Sequence, residues 1–205
     1  GKPDVKRIAP AASDDITRYT AGTNGIAYEQ WFVPLPALTA DELALLPVYT
    51  ALLTELGAGD KDYLAMQQWQ AARTGSVSFY SQFRNPLESA DEVAGYVVLS
   101  GRALVRHVDE LTQILTQHWS APRFDEQSRV FDLLKQLSAR RQQSVTGQGH
   151  MLAMQTSSAF HTRASALTYD MGGLPAIRRL KGWVDTFSDD HQALPDWLAA
   201  ISSLH

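Results

Sequence analysis

The chain contains no cysteine. That excludes disulfides, thiolate zinc sites, cysteine-held iron–sulfur clusters and cysteine nucleophiles. Apolar runs such as Tyr96-Val97-Val98-Leu99 fall far short of the roughly 20 residues of a membrane span, so no membrane partner is expected. There is no excess of positive charge either: 18 Lys+Arg stand against 22 Asp+Glu, a net charge of -4. The pair Arg140-Arg141 is not a basic stripe, and a nucleic-acid partner is not expected. With 13 Gly and 9 Pro in 205 residues, collagen-like and low-complexity classes are excluded. No initiator methionine is present, and Gly1-Lys2-Pro3-Asp4 leads into no apolar signal-peptide core. The chain is therefore expected to be a piece of a longer protein. Its compartment stays open: cytoplasmic or periplasmic if bacterial, organellar if eukaryotic. What the sequence does have is 44% hydrophobic residues, with 5 Trp, 7 Tyr and 7 Phe, enough to bury a core.

Residues 1–22 read as a lead-in from a preceding region, and 23–205 as a single α+β domain. Thr23-Asn24-Gly25 predicts a tight turn, because Asn and Gly tolerate positive φ. Ile26 to Val33 is rich in β-formers and is closed by Pro34 and Pro36. Thr39-Ala40-Asp41-Glu42 forms a capping box, opening a helix that is either kinked or restarted at Pro47. Asp60 is the expected cap of a second helix, which has Leu64, Gln68 and Ala71 on one face and ends at Gly75.

Ser76 to Arg84 alternates: Val77, Phe79 and Phe83 share one face, Ser78, Tyr80 and Gln82 the other. Val93 to Ser100 is apolar on both sides, as an internal strand should be. Leu104, Val108, Leu111, Leu115 and His118 then fall on one helical stripe, expected to be core. A further helix is predicted from Phe124 to about Val145. A buried helix rich in small residues follows from His150 to Ala166. After Gly172-Gly173 come a helix opened by Pro175 and a short one around Trp197 and Leu198. This order predicts a mainly antiparallel sheet with helices packed on one face.

The chemistry-bearing residues form no complete catalytic set. His-Glu-x-x-His is absent. The inverted form, His-x-x-Glu-His, nearly occurs at His107-Val108-Asp109-Glu110-Leu111, but leucine cannot ligate and its place on the stripe makes it core. His150 and His161 lie three helical turns apart, too far to share a metal. Each fits a core histidine bonded to a backbone carbonyl, with His150 a structural tie between helices. Gly147-Gln148-Gly149 follows a helix and lacks the Lys-Ser/Thr of a phosphate loop. Ser157 and Ser158 have no Gly-x-Ser-x-Gly frame. Asp14-Asp15 and Asp189-Asp190 read as solvated caps. Exposed strand tyrosines at 28, 80 and 96 could line a groove, and a free sheet edge could take a peptide.

Several strings, in this order and spacing, resemble the insulinase-like zinc metallopeptidases, presequence-protease branch. They are Thr23 to Tyr28, Leu45-Leu46-Pro47-Val48-Tyr49 through Leu56-Gly57, Arg73 to Ser78, and Leu99 to Leu104. Gly149-His150-x-x-Ala153 and Ser157 to Gly173 complete the series. The resemblance runs from about Val5 to Trp183 and is to the third domain, which opens the C-terminal half. It implies a non-catalytic chamber-wall domain of a zinc-dependent endopeptidase that degrades unfolded peptides. The implied partners are the other domains of the same polypeptide and the parent's peptide substrate. Zinc is implied in the parent's catalytic domain, and no catalytic, cofactor or metal residue carries over to this chain. Tyr80 and Gln82 are the candidates for lining the chamber. The alternatives are a peptide-binding or assembly module of this fold without a peptidase parent, and an unrelated helical module.

Overall fold

Asn24 and Gly25 adopt φ of 51° and 79°, and Thr23 pairs with Ile26 across them. The two residues thus close a hairpin whose positive φ values match the twist of the flanking strands. The computed structural model describes residues 6–8, 16–85, 93–147 and 163–204. Strands β1 (Lys6–Ile8), β2 (Thr17–Thr23), β3 (Ile26–Pro34), β4 (Ser76–Arg84) and β5 (Ala94–Leu104) form a five-stranded sheet ordered β1-β2-β3-β5-β4. β1/β2, β2/β3 and β3/β5 pair antiparallel. Part of the stretch read as a lead-in therefore belongs to the sheet. β5 is internal, as its apolar sequence requires.

The helices are α1 (Ala40–Leu53), α2 (Tyr63–Arg73), α3 (Val108–Ser120), α4 (Gln127–Gly147), α5 (Arg163–Gly172), α6 (Leu174–Asp189) and α7 (Ala193–Ser202). A 3-10 turn, Val105–His107, precedes α3. The predicted α+β class holds. The capping box forms as read: Thr39 N–H donates to Glu42 Oε2 at 2.7 Å, and Glu42 N–H donates to Thr39 Oγ1 at 3.3 Å. Pro47 lies inside an unbroken α1.

The chain divides into two compact units: Gly1–Leu35, Thr50–Ser81 and Tyr96–Arg123 make one, and Pro36–Tyr49, Gln82–Gly95 and Phe124–His205 the other. In the first, the inner sheet face buries Ala27, Glu29, Phe79, Val97, Leu99 and Ala103, and α3 buries Leu111, Ile114, Leu115 and His118. In the second, α4 and α6 bury Val130, Leu133, Leu134, Ile177, Leu180 and Phe187. Trp197 packs on Trp183 and Phe187, with ring centroids 5.6 and 5.5 Å away.

Three expectations are corrected. Asp60 does not cap α2. It sits in the turn after Gly59, whose φ is 60°, and Asp62 caps instead, accepting from Ala65 N–H at 2.9 Å. The face carrying Leu64, Gln68 and Ala71 points to solvent, while Met66 is buried. Leu104 is not core: it ends β5, pairs with Ile26 and is 45% exposed. Strand pairing continued through residues that helical periodicity had claimed. Of the rest of that stripe, Leu111 and Leu115 are fully buried and Val108 half-buried. His150, His161, Ser157, Ser158 and the Asp14-Asp15 pair lie outside the described residues.

Candidate functional site

The interrupted histidine motif sits where the 3-10 turn enters α3. His107 Nδ1 lies 3.4 Å from Glu110 Oε1. Glu110 Oε2 accepts from Trp69 Nε1 at 3.2 Å and pairs with Arg73 Nε at 3.0 Å. The Trp69 N–H bond, followed by the Arg73 and His107 neighbours, holds the Glu110 carboxyl below the usual carboxylate range. Leu111 points into the core. This is an ion-pair cluster joining α2 to α3. It does not fit a zinc ion, because the carboxylate is already taken by two donors and the fifth position offers no ligand. Among the described residues, no three His, Asp or Glu side chains gather as a metal would need.

His118 is fully buried. Its Nε2 is 2.6 Å from Gln70 Nε2, which also donates to the Thr54 carbonyl at 2.9 Å. A carbonyl only accepts, so this Gln70 nitrogen is a donor and His118 Nε2 must be the acceptor. The ring is then the neutral Nδ1–H tautomer. Nδ1 has no well-formed hydrogen bond among the described residues. Burial pushes the imidazole pKa down to about 4. Phe79 meets the ring edge-on at 6.3 Å. The group is a neutral core histidine, not a ligand.

A second buried polar centre is Glu29, at 0% exposure. Trp31 Nε1 and Thr112 Oγ1 donate to its carboxylate at 2.6 and 2.8 Å, and Arg18 Nε lies 2.7 Å away. Arg18 also donates to Thr112 at 3.0 Å and stands over the Trp31 ring at 5.7 Å. β2, β3 and α3 are thus joined by one polar network, in which Arg18 Nε meets the carboxylate as an ion pair without a well-aligned hydrogen bond.

A cleft of about 470 Å³ opens beside this unit's sheet end, within the size range of small-molecule and peptide pockets. It is lined by Ile26, Ala72, Arg73, Thr74, Gly75, Arg102, Ala103, Leu104, Arg106 and His107. Gly75 lets Arg102 lie close, since a Cβ there would be 3.3 Å from the Arg102 Nε. Arg102 and Arg106 are exposed. On the outer sheet face Tyr28, 41% exposed, stands opposite Arg102.

Of the candidates named from sequence, Tyr80 is 40% exposed and Gln82 is half-buried. Tyr96 is half-buried, with its ring 6.2 Å from Phe32. Neither Tyr80 nor Gln82 lines the cleft. Its arginines were not singled out in the sequence. The available signal was weak: Arg102 and Arg106 four residues apart, flanking apolar Ala103, Leu104 and Val105.

No described helix is long and apolar enough to cross a membrane. The family model for the associated domain of peptidase family M-16, subfamily C, matches residues 2–182. A mitochondrial presequence protease from Danio rerio is 24% identical over 159 residues, covering 78% of this chain and 16% of that protein. Presequence protease 1, chloroplastic/mitochondrial, from Arabidopsis thaliana is 23% identical over 186 residues, covering 91% of this chain and 17% of that protein. Protein HypA from Clostridium perfringens is 21% identical over 152 residues, covering 74% of this chain and 16% of its own length. The chain therefore spans about a sixth of the curated relatives it matches.

Proposed function

Because the chain belongs to the associated-domain family of the subfamily C peptidases, we propose that it is a non-catalytic chamber-wall domain of a zinc-dependent endopeptidase that degrades unfolded peptides. The observation behind this reading is the family match over residues 2–182, set beside relatives about six times longer that are named as presequence proteases. Zinc belongs to another part of such a parent, because the interrupted motif here is tied up by Trp69 and Arg73. The partners are the other domains of the parent polypeptide and the peptide in its chamber. Tyr80 and Gln82 are the wall residues. The exposure of Tyr80 supports its part.

The test is steady-state cleavage of peptides of graded length by the full-length parent, wild type against a Tyr80→Ala, Gln82→Ala double variant. A wall role changes the length preference more than turnover of the shortest peptide, and leaves bound zinc unchanged. Identical kinetics at every length in a folded variant would remove both residues from the wall. Metal-dependent cleavage by the 205-residue chain alone would overturn the non-catalytic reading.

A further inference from the structure

The chain is acidic overall, at -4, yet one cleft is lined by three arginines, Arg73, Arg102 and Arg106, and by no carboxylate. Arg73 is neutralised by Glu110. Among the described residues, Arg106 Nε donates to His107 Nε2 alone, at 3.2 Å. Arg102 has no side-chain hydrogen bond or ion pair among the described residues. Two guanidinium groups thus border one concavity with no carboxylate paired to them among the described residues. Guanidinium is the side chain best shaped to hold a carboxylate through two parallel N–H bonds.

Apolar side chains line the same cleft: Ile26, Ala72 and Leu104. Guanidinium groups and apolar side chains lining one cleft match a ligand that carries an anion on a hydrocarbon body. A bare inorganic anion would leave those apolar side chains without a partner. The edge of the cleft continues into exposed Leu104 and Val105, at 45% and 54%, and towards Tyr28. An extended chain could follow that surface away from the charge.

We propose that this cleft binds a carboxylate carried by a peptide with apolar residues beside it, with Arg102 and Arg106 as the anion-holding groups. This goes beyond the chamber-wall role and does not depend on it, since the site lies within one unit of this chain. A free C-terminus and an internal Glu or Asp both supply the carboxylate, and the experiment separates them.

The test is fluorescence anisotropy of the 205-residue chain with three dye-labelled apolar hexapeptides. One has a free C-terminal acid, one a C-terminal amide, and one an amide with a single internal Glu. At least one acid-bearing peptide should bind, with the neutral amide at least about tenfold weaker, the scale of one charged hydrogen bond. The better of the two acid peptides identifies the source of the carboxylate. Arg102→Gln and Arg106→Gln should each weaken binding by about tenfold, and Arg102→Lys by less, because it keeps charge but loses the fork. Arg178→Gln, exposed in the other unit, should change nothing. Both cleft arginines are exposed, so thermal melts of the variants should match wild type. Equal binding of all three peptides, no binding of either acid, or equal loss in the Arg178 variant would each overturn the proposal. So would binding of inorganic phosphate in place of both acids.

Discussion

A Cβ atom placed on Gly101 would stand 2.6 Å from Leu111 Cδ1 and 3.3 Å from the Ser76 carbonyl oxygen. α3 therefore lies directly on β5 at an inward position where the strand has no side chain. Leu111 fills that space. Its burial also explains why the histidine motif stops there: the fifth position is turned into the core, where a ligand would have no access to water or substrate.

This contact predicts a coupled pair. Leu111→Ala should cost about 2–5 kcal/mol, as large-to-small core changes do. Gly101→Ala should cost about 1–3 kcal/mol by overpacking. The double variant should lose less than the sum, because alanine at 111 has no Cδ1 for the new methyl group to meet. Leu111→His should also lower stability. Urea denaturation of the four variants measures all of this, and strict additivity would mean that the two positions do not touch.

The Glu29 network predicts an asymmetry. Glu29→Ala should cost about 3–5 kcal/mol, because Arg18, Trp31 and Thr112 all lose their common acceptor. Thr112→Val should cost less, about 1–2 kcal/mol, since it removes one donor to the carboxylate and one acceptor of Arg18 while Arg18 and Trp31 still hold Glu29. Denaturant midpoints of the two variants provide the comparison, and equal losses would show that the network is not centred on Glu29.

His118 sets a pH dependence. Its folded pKa of about 4 lies below the ordinary value of about 6.5. The unfolded chain therefore binds the proton more readily than the folded one. The associated stability is fully present above about pH 6.5, falls as pH drops, and levels off below about pH 4, a total on the order of 3 kcal/mol. His118→Phe should flatten that part of the stability profile whatever its effect at neutral pH. A slope unchanged in this variant between about pH 6.5 and 4 would assign the titration elsewhere.

For the interrupted motif, dialysed protein should retain no stoichiometric zinc by elemental analysis. Its carboxylate is held by Trp69 and Arg73. One tightly bound zinc per chain, lost in His107→Ala, would contradict that geometry.

Features that depend on a few adjacent residues were legible in the sequence. Asn24-Gly25 had to turn because few other pairs accept two positive φ values. Thr39 and Glu42 had to cap because their spacing closes two hydrogen bonds within one turn of helix. The alternation of Val77, Phe79 and Phe83 against Ser78 and Tyr80 fixed the faces of β4, and the ordered strings up to Gly173 carried the family resemblance. Other features depended on neighbours distant in the chain. Leu104 sits at helical spacing from Val108 and Leu111, and only pairing with Ile26 kept it in a strand. Asp60 and Asp62 are both good caps, and the turn at Gly59 selected the second. Glu29 looked like any strand carboxylate until Arg18, Trp31 and Thr112 converged on it, the last from 83 residues away. Local preferences are properties of short segments and survive in the sequence. Burial, charge pairing and the cationic cleft are properties of pairs that only the packed chain brings together, so the tertiary structure alone decided them.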